Sequence, residues 1–297
     1  MTAQETFNNF ILSRRLADFS PKTVLNYKQF VAPFINAIGP ESDFQNLTQT
    51  DISTYISNLL SRSVSRATKA TYIRHIKAFL HWAQEEYGAQ FSYKAVKVPK
   101  TPKKEVRIYS EKEINAIFQA VACSIEWITK RNMTIVAMMY DSGLRQSEVC
   151  ELRRSWLSPD EGRMKVHGKG DKERTVPMGA LTQKLLQSYF DACPYESEFV
   201  FVSRNGLPLT GDAVKHMITK AASRLNFELS SHKLRHNFAT NYCIDQYTEY
   251  GRVDIYSLMH IMGHEDLSTT QRYLHYAQEI LASRTHVSHL DKLSLTF

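Results

Sequence analysis

The stretch SSHKLRHNFAT, residues 230–240, combines a helix start with two side chains that suit phosphate chemistry. Either serine at its start is a typical N-cap residue, because its hydroxyl can accept from the free amides of the first turn. His232 and Arg235 follow three residues apart and therefore share one helical face. An imidazole that accepts a proton and a guanidinium that binds an anion could act on the same phosphate. His236 lies on a different face, and we predict a structural role for it.

A predicted helix further downstream contains two tyrosines. In MGHEDLSTTQRYLHY, residues 262–276, His264 ends one segment and Ser268 is the predicted N-cap of the next. Tyr273 falls in the second turn of that helix, and Tyr276 follows one turn later. Because the chain has 15 tyrosines, position and not residue type must decide whether either of them reacts.

Two upstream motifs add further cations. In SGLRQSEV, Arg145 stands at the start of a predicted helix, a position that favours anions, and Glu148 can hold it from one turn away. A surface salt bridge is the alternative interpretation of that pair. Lys169 lies between two glycines in MKVHGKGDKERTVPM, which predicts a hairpin, although Lys and Gly are common in any hairpin turn. The GKG sequence lacks the context of a nucleotide-binding P-loop.

Taken together, the ordered motifs resemble the tyrosine recombinases, the phage-integrase and Xer-type family. The resemblance runs from about Lys22 to Tyr276 and is carried by SGLRQSEV, GKGDKERTVP, HKLRH, MGH and a tyrosine nine residues after that last histidine. It implies a catalytic set consisting of Arg145, Lys169, His232, Arg235, His264 and Tyr273, with Glu148 supporting it. Tyr276 remains the alternative nucleophile.

The resemblance implies a site-specific recombinase that cuts and rejoins DNA through a 3′-phosphotyrosyl intermediate. A free tyrosine, with a pKa near 10, needs a base and a positive field to react at neutral pH. His232 would take or share the proton of the tyrosine hydroxyl, and Lys169 would protonate the leaving 5′-oxygen. Arg145, Arg235 and His264 would stabilise the negative charge on the phosphate. Because the phosphotyrosyl bond keeps the reactivity of the phosphodiester, we expect no metal and no nucleotide cofactor.

Several functions stay open at this point. The enzyme could integrate or excise a mobile element, or it could resolve DNA dimers. A catalytically inactive DNA-binding regulator of the same fold and a relaxing enzyme similar to type IB topoisomerases are the alternatives from other classes. A regulator has no evident use for Lys169 and Tyr273, and a relaxing enzyme needs no paired sites.

The predicted fold is mainly α with a small β-sheet. Apolar residues recur at helical spacing before residue 97, which predicts a helical bundle, and Pro33 is expected to kink its helix or end it early. A basic segment with two prolines, residues 98–108, reads as a linker. Residues 109–297 are predicted to form a mixed α/β catalytic domain, and the resemblance makes residues 1–97 a core-binding, SAM-like domain.

Basic residues in and after the first domain have two interpretations. Four of them lie on the polar side of one predicted helix and three lie in the linker, and they could either form a solvated face or contact DNA phosphates. These residues are Arg66, Lys69, Arg74, Lys77, Lys100, Lys103 and Lys104.

The composition bears on the binding partner and on the cellular compartment. The formal net charge of +7 suits a polyanionic partner, and the four cysteines are too far apart to suggest disulfides or a thiolate metal site. Since neither a signal peptide nor a membrane-spanning run is apparent, we expect a cytoplasmic, nucleoid-associated protein with no membrane partner.

The expected partner is double-stranded DNA with paired recombination sites, held by a homotetramer, and an accessory DNA-bending protein is compatible with this arrangement. The chain starts close to the first predicted helix, so we expect no additional arm-type DNA-binding domain. The segment CIDQYTEYGRVD, which precedes the His264 loop, is longer than in compact Xer-like members. Apolar residues after residue 280 could pack on their own domain or on a neighbouring protomer.

Overall fold

Helices make up most of both parts of the chain. The computed structural model describes residues 1–88, 90–101, 107–168 and 172–285. Over these ranges the protein is mainly α-helical with one three-stranded antiparallel sheet, and the predicted fold class is confirmed.

The chain divides into two compact units, Met1–Lys104 and Glu105–Phe297. The division falls inside the predicted linker, residues 98–108, whose Lys103 and Lys104 lie outside the described residues. In the described part of either unit, none of the helices combines the length and apolar character required to cross a bilayer.

Four α-helices make up most of the described part of the first unit. They are α1 (Ala3–Leu16), α2 (Pro21–Ile38), α3 (Gln49–Ser61) and α4 (Arg66–Tyr87). Each begins directly after a serine or threonine whose hydroxyl accepts a hydrogen bond from a backbone amide of the first turn. Their apolar faces meet in a core of aromatic rings, in which Phe10, Phe34 and Phe79 are fully buried.

Pro33 lies inside α2 and does not end it. Of the two effects expected, a kink or an early end, the early end does not occur, because the helix continues to Ile38. A proline removes one backbone donor and crowds the preceding turn. Phe34 and Ile35 follow it and are both fully buried, and this burial of apolar surface offsets the loss.

Eight helices follow in the described part of the second unit. They are α5 (Glu111–Ala120), α6 (Glu126–Asp141), α7 (Gln146–Glu151), α8 (Ala180–Ala192), α9 (Gly211–Ala222), α10 (Ser231–Tyr250), α11 (Ile255–Met262) and α12 (Leu267–Thr285). The apolar run MTIVAMMY lies in α6, which packs against α8 and α10 and buries Ile135, Met138 and Met139 completely.

The sheet has the order β1 (Leu157–Ser158), β2 (Arg163–His167) and β3 (Glu173–Pro177), all antiparallel. Strands β2 and β3 are the predicted hairpin, and side chains alternate between a solvent face and a buried face. Arg174 occupies a buried position of β3, opposite the apolar Val166. A charged residue at this position requires a buried partner.

A smaller core joins the last three described helices of the second unit. It joins α10, α11 and α12 through Phe238, Cys243, Leu258 and Met262, and it also includes Tyr273 of α12. The candidate nucleophile is therefore positioned by a packed cluster separate from the main core of the unit.

Candidate active site

Glu148 stands at the centre of a cluster of arginines. Helix α7 begins after Arg145, and the backbone amide of Arg145 donates to Glu148 Oε2 at 2.7 Å. The Glu148 side chain is only 3% exposed, which makes its charge costly without partners. Burial acts to raise the pKa of Glu148, but hydrogen bonds and charge from Arg174, and then from Arg145, hold it below its ordinary value.

Three guanidiniums surround this carboxylate. Arg145 Nη1 donates to Glu148 Oε1 at 2.6 Å, and Arg174 binds both carboxylate oxygens, each at 2.8 Å. Arg235 Nη1 lies 3.9 Å from Oε2. Burial, followed by the nearby charge of Arg145, lowers the pKa of Arg235 to about 9, which leaves it protonated at neutral pH. The cluster therefore carries three positive charges against one negative charge.

The same arginines hold the C-terminal end of α11. Arg174 Nε donates to the carbonyl of Ile261 at 2.7 Å, Arg235 donates to the carbonyl of Met262, and Arg145 Nη2 donates to the carbonyl of Gly263 at 2.7 Å. The carbonyls at the end of a helix have no intrahelical partner and carry partial negative charge. Three successive carbonyls are thus bound by three different cations.

Gly263 has a backbone reason to be glycine. Its φ of +57° lies in the left-handed region, and an added Cβ would lie 3.1 Å from Arg174 Nη1. Both constraints act at the residue that turns the chain from α11 towards His264.

His264 follows that turn and faces the arginines. Its Nδ1 lies 2.8 Å from Thr270 Oγ1, and its Nε2 lies 3.5 Å from Arg235 Nη2. Burial, and then the charges of Arg235 and Arg145, lower the pKa of His264 to about 4. The ring is therefore neutral at pH 7, and Thr270 fixes its orientation.

Tyr273 lies beside two of the histidines of the site, His236 and His264. Its ring stacks on His264 with the centroids 6.2 Å apart, and its hydroxyl lies 2.7 Å from His236 Nδ1. The residue is only 2% exposed. Burial raises the pKa of Tyr273, although Arg235 and Arg272 oppose the rise, so the phenol is neutral at pH 7.

Two of the arginines, Arg145 and Arg235, line one cavity of about 380 Å³ together with the histidines and Tyr273. Its lining residues are Arg145, Gln146, Ser147, Ser231, His232, Arg235, His236, His264, Thr269, Arg272 and Tyr273. Residues from α7, α10, α12 and the loop after α11 thus converge, although their motifs are spread over more than a hundred positions of the chain. A cavity with clustered cations and a tyrosine suits an anionic substrate.

Comparison with known proteins agrees with this geometry. Residues 107–279 match the model of the phage integrase family, and residues 7–88 match that of the phage integrase N-terminal SAM-like domain. The chain belongs to the phage integrase family. It is a tyrosine recombinase, an enzyme of site-specific DNA recombination.

Relatives of this recombinase match it over nearly their whole length. Tyrosine recombinase XerC of Listeria welshimeri is 27% identical over 298 residues, 96% of each chain. A lambda integrase dimer bound to a COC′ core site has the same fold, with a TM-score of 0.75 and 17% identity over 92% of this chain and 95% of that one. The XerH recombinase bound to palindromic difH DNA gives a TM-score of 0.69 and 20% identity over 88% of this chain and 78% of that one.

Five of the six catalytic residues predicted for the recombinase line the cavity, and the sixth, Lys169, lies outside the described residues. An adjacent cavity of about 850 Å³ shares Arg145 and His264 and reaches both sides of the hairpin turn at Gly168 and Lys172. Lys172 Nζ contacts Glu265 Oε1 at 2.9 Å. The described ends of the hairpin are therefore next to the arginine cluster.

Two contacts of the recombinase site were not predicted from the sequence. His236, for which a structural role was predicted, lies within hydrogen-bond distance of the Tyr273 hydroxyl. Arg174 was not singled out, although it binds Glu148 more completely than Arg145 does. An arginine on the apolar face of a strand, in alternation with Val176, was the available signal for Arg174.

The predicted DNA-binding residues of the first unit differ in their surroundings. Arg66 and Arg74 are exposed on α4, whereas Lys69 Nζ donates to the carbonyl of Leu60 at 2.6 Å and Lys77 Nζ to that of Val96 at 3.0 Å. Lys100 is exposed after the helix. Two of the four α4 cations thus already have backbone partners.

Proposed function

We propose that this recombinase cleaves duplex DNA through Tyr273 and rejoins it to a second strand by way of a 3′-phosphotyrosyl intermediate. One observation carries the proposal: Tyr273 lines the same cavity as Arg145, Arg235 and His264. A nucleophile, two guanidiniums and an imidazole around one space are the groups that in-line attack on a phosphodiester requires.

The arginine cluster supplies the electrostatic part of the reaction. Attack on phosphorus builds negative charge on the non-bridging oxygens, and donors already fixed in place stabilise that charge without reorganising. Glu148 and the carbonyls of α11 hold Arg145 and Arg235 before any DNA is present. Each guanidinium has further N–H groups that can donate a hydrogen bond to a phosphate oxygen.

Proton transfer is assigned to three side chains. Because the pKa of Tyr273 is above its ordinary value, its proton must leave as the bond to phosphorus forms. His232 lines the same cavity and is the proposed acceptor. His264 would donate Nε2–H to the phosphate while Thr270 hydroxyl donates to Nδ1, and Lys169 would protonate the leaving 5′-oxygen.

The partners follow from the chemistry and the charge. The phosphotyrosyl bond conserves the energy of the broken phosphodiester, so another 5′-hydroxyl can reverse the step without ATP. The arginines supply the positive charge that metal ions would otherwise provide. The net charge of +7 favours DNA binding. We infer a cytoplasmic enzyme that acts on paired DNA sites as a homotetramer.

A suicide-substrate assay tests the proposal. Duplex fragments from the DNA flanking the gene, nicked close to candidate sites, are incubated with the protein in EDTA without ATP and resolved on a denaturing gel. We expect a slower covalent adduct with the native protein and none with Tyr273→Phe. Tyr276→Phe, a matched change one turn along α12, is expected to retain the adduct.

Two outcomes would contradict the proposal. An adduct that survives Tyr273→Phe and disappears with Tyr276→Phe would move the nucleophile to Tyr276. Tight binding of one fragment without any adduct, at several nick positions, would indicate a DNA-binding protein that does not cut.

A further inference from the structure

Arg174 contacts residues of the site and lines the adjacent cavity of about 850 Å³. Each of its three guanidinium nitrogens donates within the protein, two to Glu148 and one to the carbonyl of Ile261. Its side chain is only 5% exposed, against 35% for Arg145. Arg174 is also absent from the lining of the cavity that contains Tyr273.

Its contacts join three parts of the chain. Arg174 belongs to β3, Glu148 belongs to α7, and Ile261 lies at the end of α11, two residues before Gly263. A guanidinium that forms a bidentate pair fixes direction as well as distance. The side chain therefore connects the hairpin strand both to the carboxylate that holds Arg145 and to the turn that presents His264.

We propose that Arg174 is a positioning residue for strand cleavage, which holds Glu148 and the end of α11 so that Arg145 and His264 face the scissile phosphate. The inference rests on the proposed function. It assigns to Arg174 no contact with DNA, and it makes both the charge and the forked shape of its guanidinium necessary.

The charge is necessary because Glu148 is buried. The charged groups that face this carboxylate in the described structure are Arg174 from β3, Arg145 from the start of α7 and Arg235 from α10, and α11 contributes only carbonyls to the cluster. Without Arg174, burial acts on Glu148 with less opposition and its pKa rises. A protonated Glu148 holds Arg145 less firmly, so cleavage is lost as the pH falls through the raised pKa.

The shape is necessary because three acceptors must be reached at once. Lysine carries its charge on one nitrogen and cannot form a bidentate pair with Glu148 while also reaching Ile261. Arg174→Lys should therefore keep the pH profile close to that of the native protein but cleave more slowly. Arg174→Met should lose both features.

The experiment measures the single-turnover rate of adduct formation between about pH 5.5 and pH 8.5, together with DNA affinity. The variants are Arg174→Met, Arg174→Lys, Glu148→Gln and the double variant Arg174→Met with Glu148→Gln. Arg163→Met serves as the matched control, because Arg163 is an exposed residue on the neighbouring strand β2. Thermal unfolding of every variant identifies any that fail to fold.

We expect Arg174→Met to slow cleavage by about 10- to 100-fold at neutral pH and to move the acidic limb up by roughly one pH unit or more. DNA affinity should change by less than about threefold, because the residue contacts no phosphate in the proposal. The double variant lacks the Glu148 carboxylate and should lose the shift of the acidic limb that Arg174→Met causes. Its rate should exceed that expected from adding the two single effects.

A purely structural role predicts a different pattern. If Arg174→Met folds and loses the same fraction of activity at every pH, with no response to Glu148→Gln, the inference is overturned. Native rates in Arg174→Met would overturn it as well. Failure of the proposed function is distinguishable, since the native protein itself would then form no adduct.

Discussion

At the scale of single residues, the contact between His236 and Tyr273 joins two neutral groups. Burial, and then the charge of His232, lower the pKa of His236 to about 4, while the pKa of Tyr273 is raised. The phenol can therefore donate to the neutral Nδ1, which lies 2.7 Å away. Such a bond keeps the hydroxyl protonated and satisfied while it is buried.

This bond predicts a measurable coupling. In a double-mutant cycle of His236→Leu and Tyr273→Phe, followed by urea unfolding, we expect a coupling free energy of about 0.5–1.5 kcal/mol, because each single change removes the same bond. His236→Asn, which keeps a polar atom close to the position of Nδ1, is the conservative control and should retain part of it. Strictly additive effects of the two changes would show that the contact contributes nothing to stability.

Some residues of the site could be predicted from the sequence and others could not. The motifs pointed to Arg145, His232 and Arg235, which line the cavity, because a short run of polar residues at a helix start is visible in one dimension. The contact of His236 with Tyr273 could not be predicted, because the helical wheel of α10 does not reveal what lies opposite each face. Helix α12 packs across that face and brings Tyr273 to it.

At the scale of elements, periodicity and capping residues predicted most of the fold. Ser110, for example, forms a capping box with Glu113 at the start of α5. That α2 continues past Pro33 could not be predicted, because the burial of the residues after it depends on tertiary packing. The end of α11 was beyond prediction for the same reason, since its carbonyls are bound by arginines from three other elements.

Helix α4 gives a prediction at this scale. Arg66 and Arg74 are exposed. Changing either one to Gln should reduce the slope of log DNA affinity against log salt concentration by about one. Lys69→Gln and Lys77→Gln are the matched comparison. Their ammonium groups are held by backbone carbonyls, so the slope should change less. Equal slopes for all four variants would show that the carbonyl contacts do not restrain the lysines on DNA.

At the scale of the whole molecule, the two family matches and the two compact units cover corresponding parts of the chain. The N-terminal match, residues 7–88, lies within the first unit, and the match at residues 107–279 lies within the second. Each unit has its own hydrophobic core. In such an arrangement, DNA binding and strand cleavage can be carried out by separately packed parts of one chain.

The last prediction concerns assembly. Residues 286–297 lie outside the described residues, and their sequence includes Leu290, Leu293, Leu295 and Phe297, which are apolar enough to favour a protein contact. A deletion of residues 286–297 removes none of the described residues of α12, Leu267–Thr285, the helix that carries Tyr273. We expect this deletion to preserve binding and adduct formation on one site but to weaken the pairing of two sites on a native gel. Adduct formation by the truncated protein is the control for its folding. Unchanged pairing would place the tail on its own domain, while loss of both activities would show that it supports the catalytic unit itself.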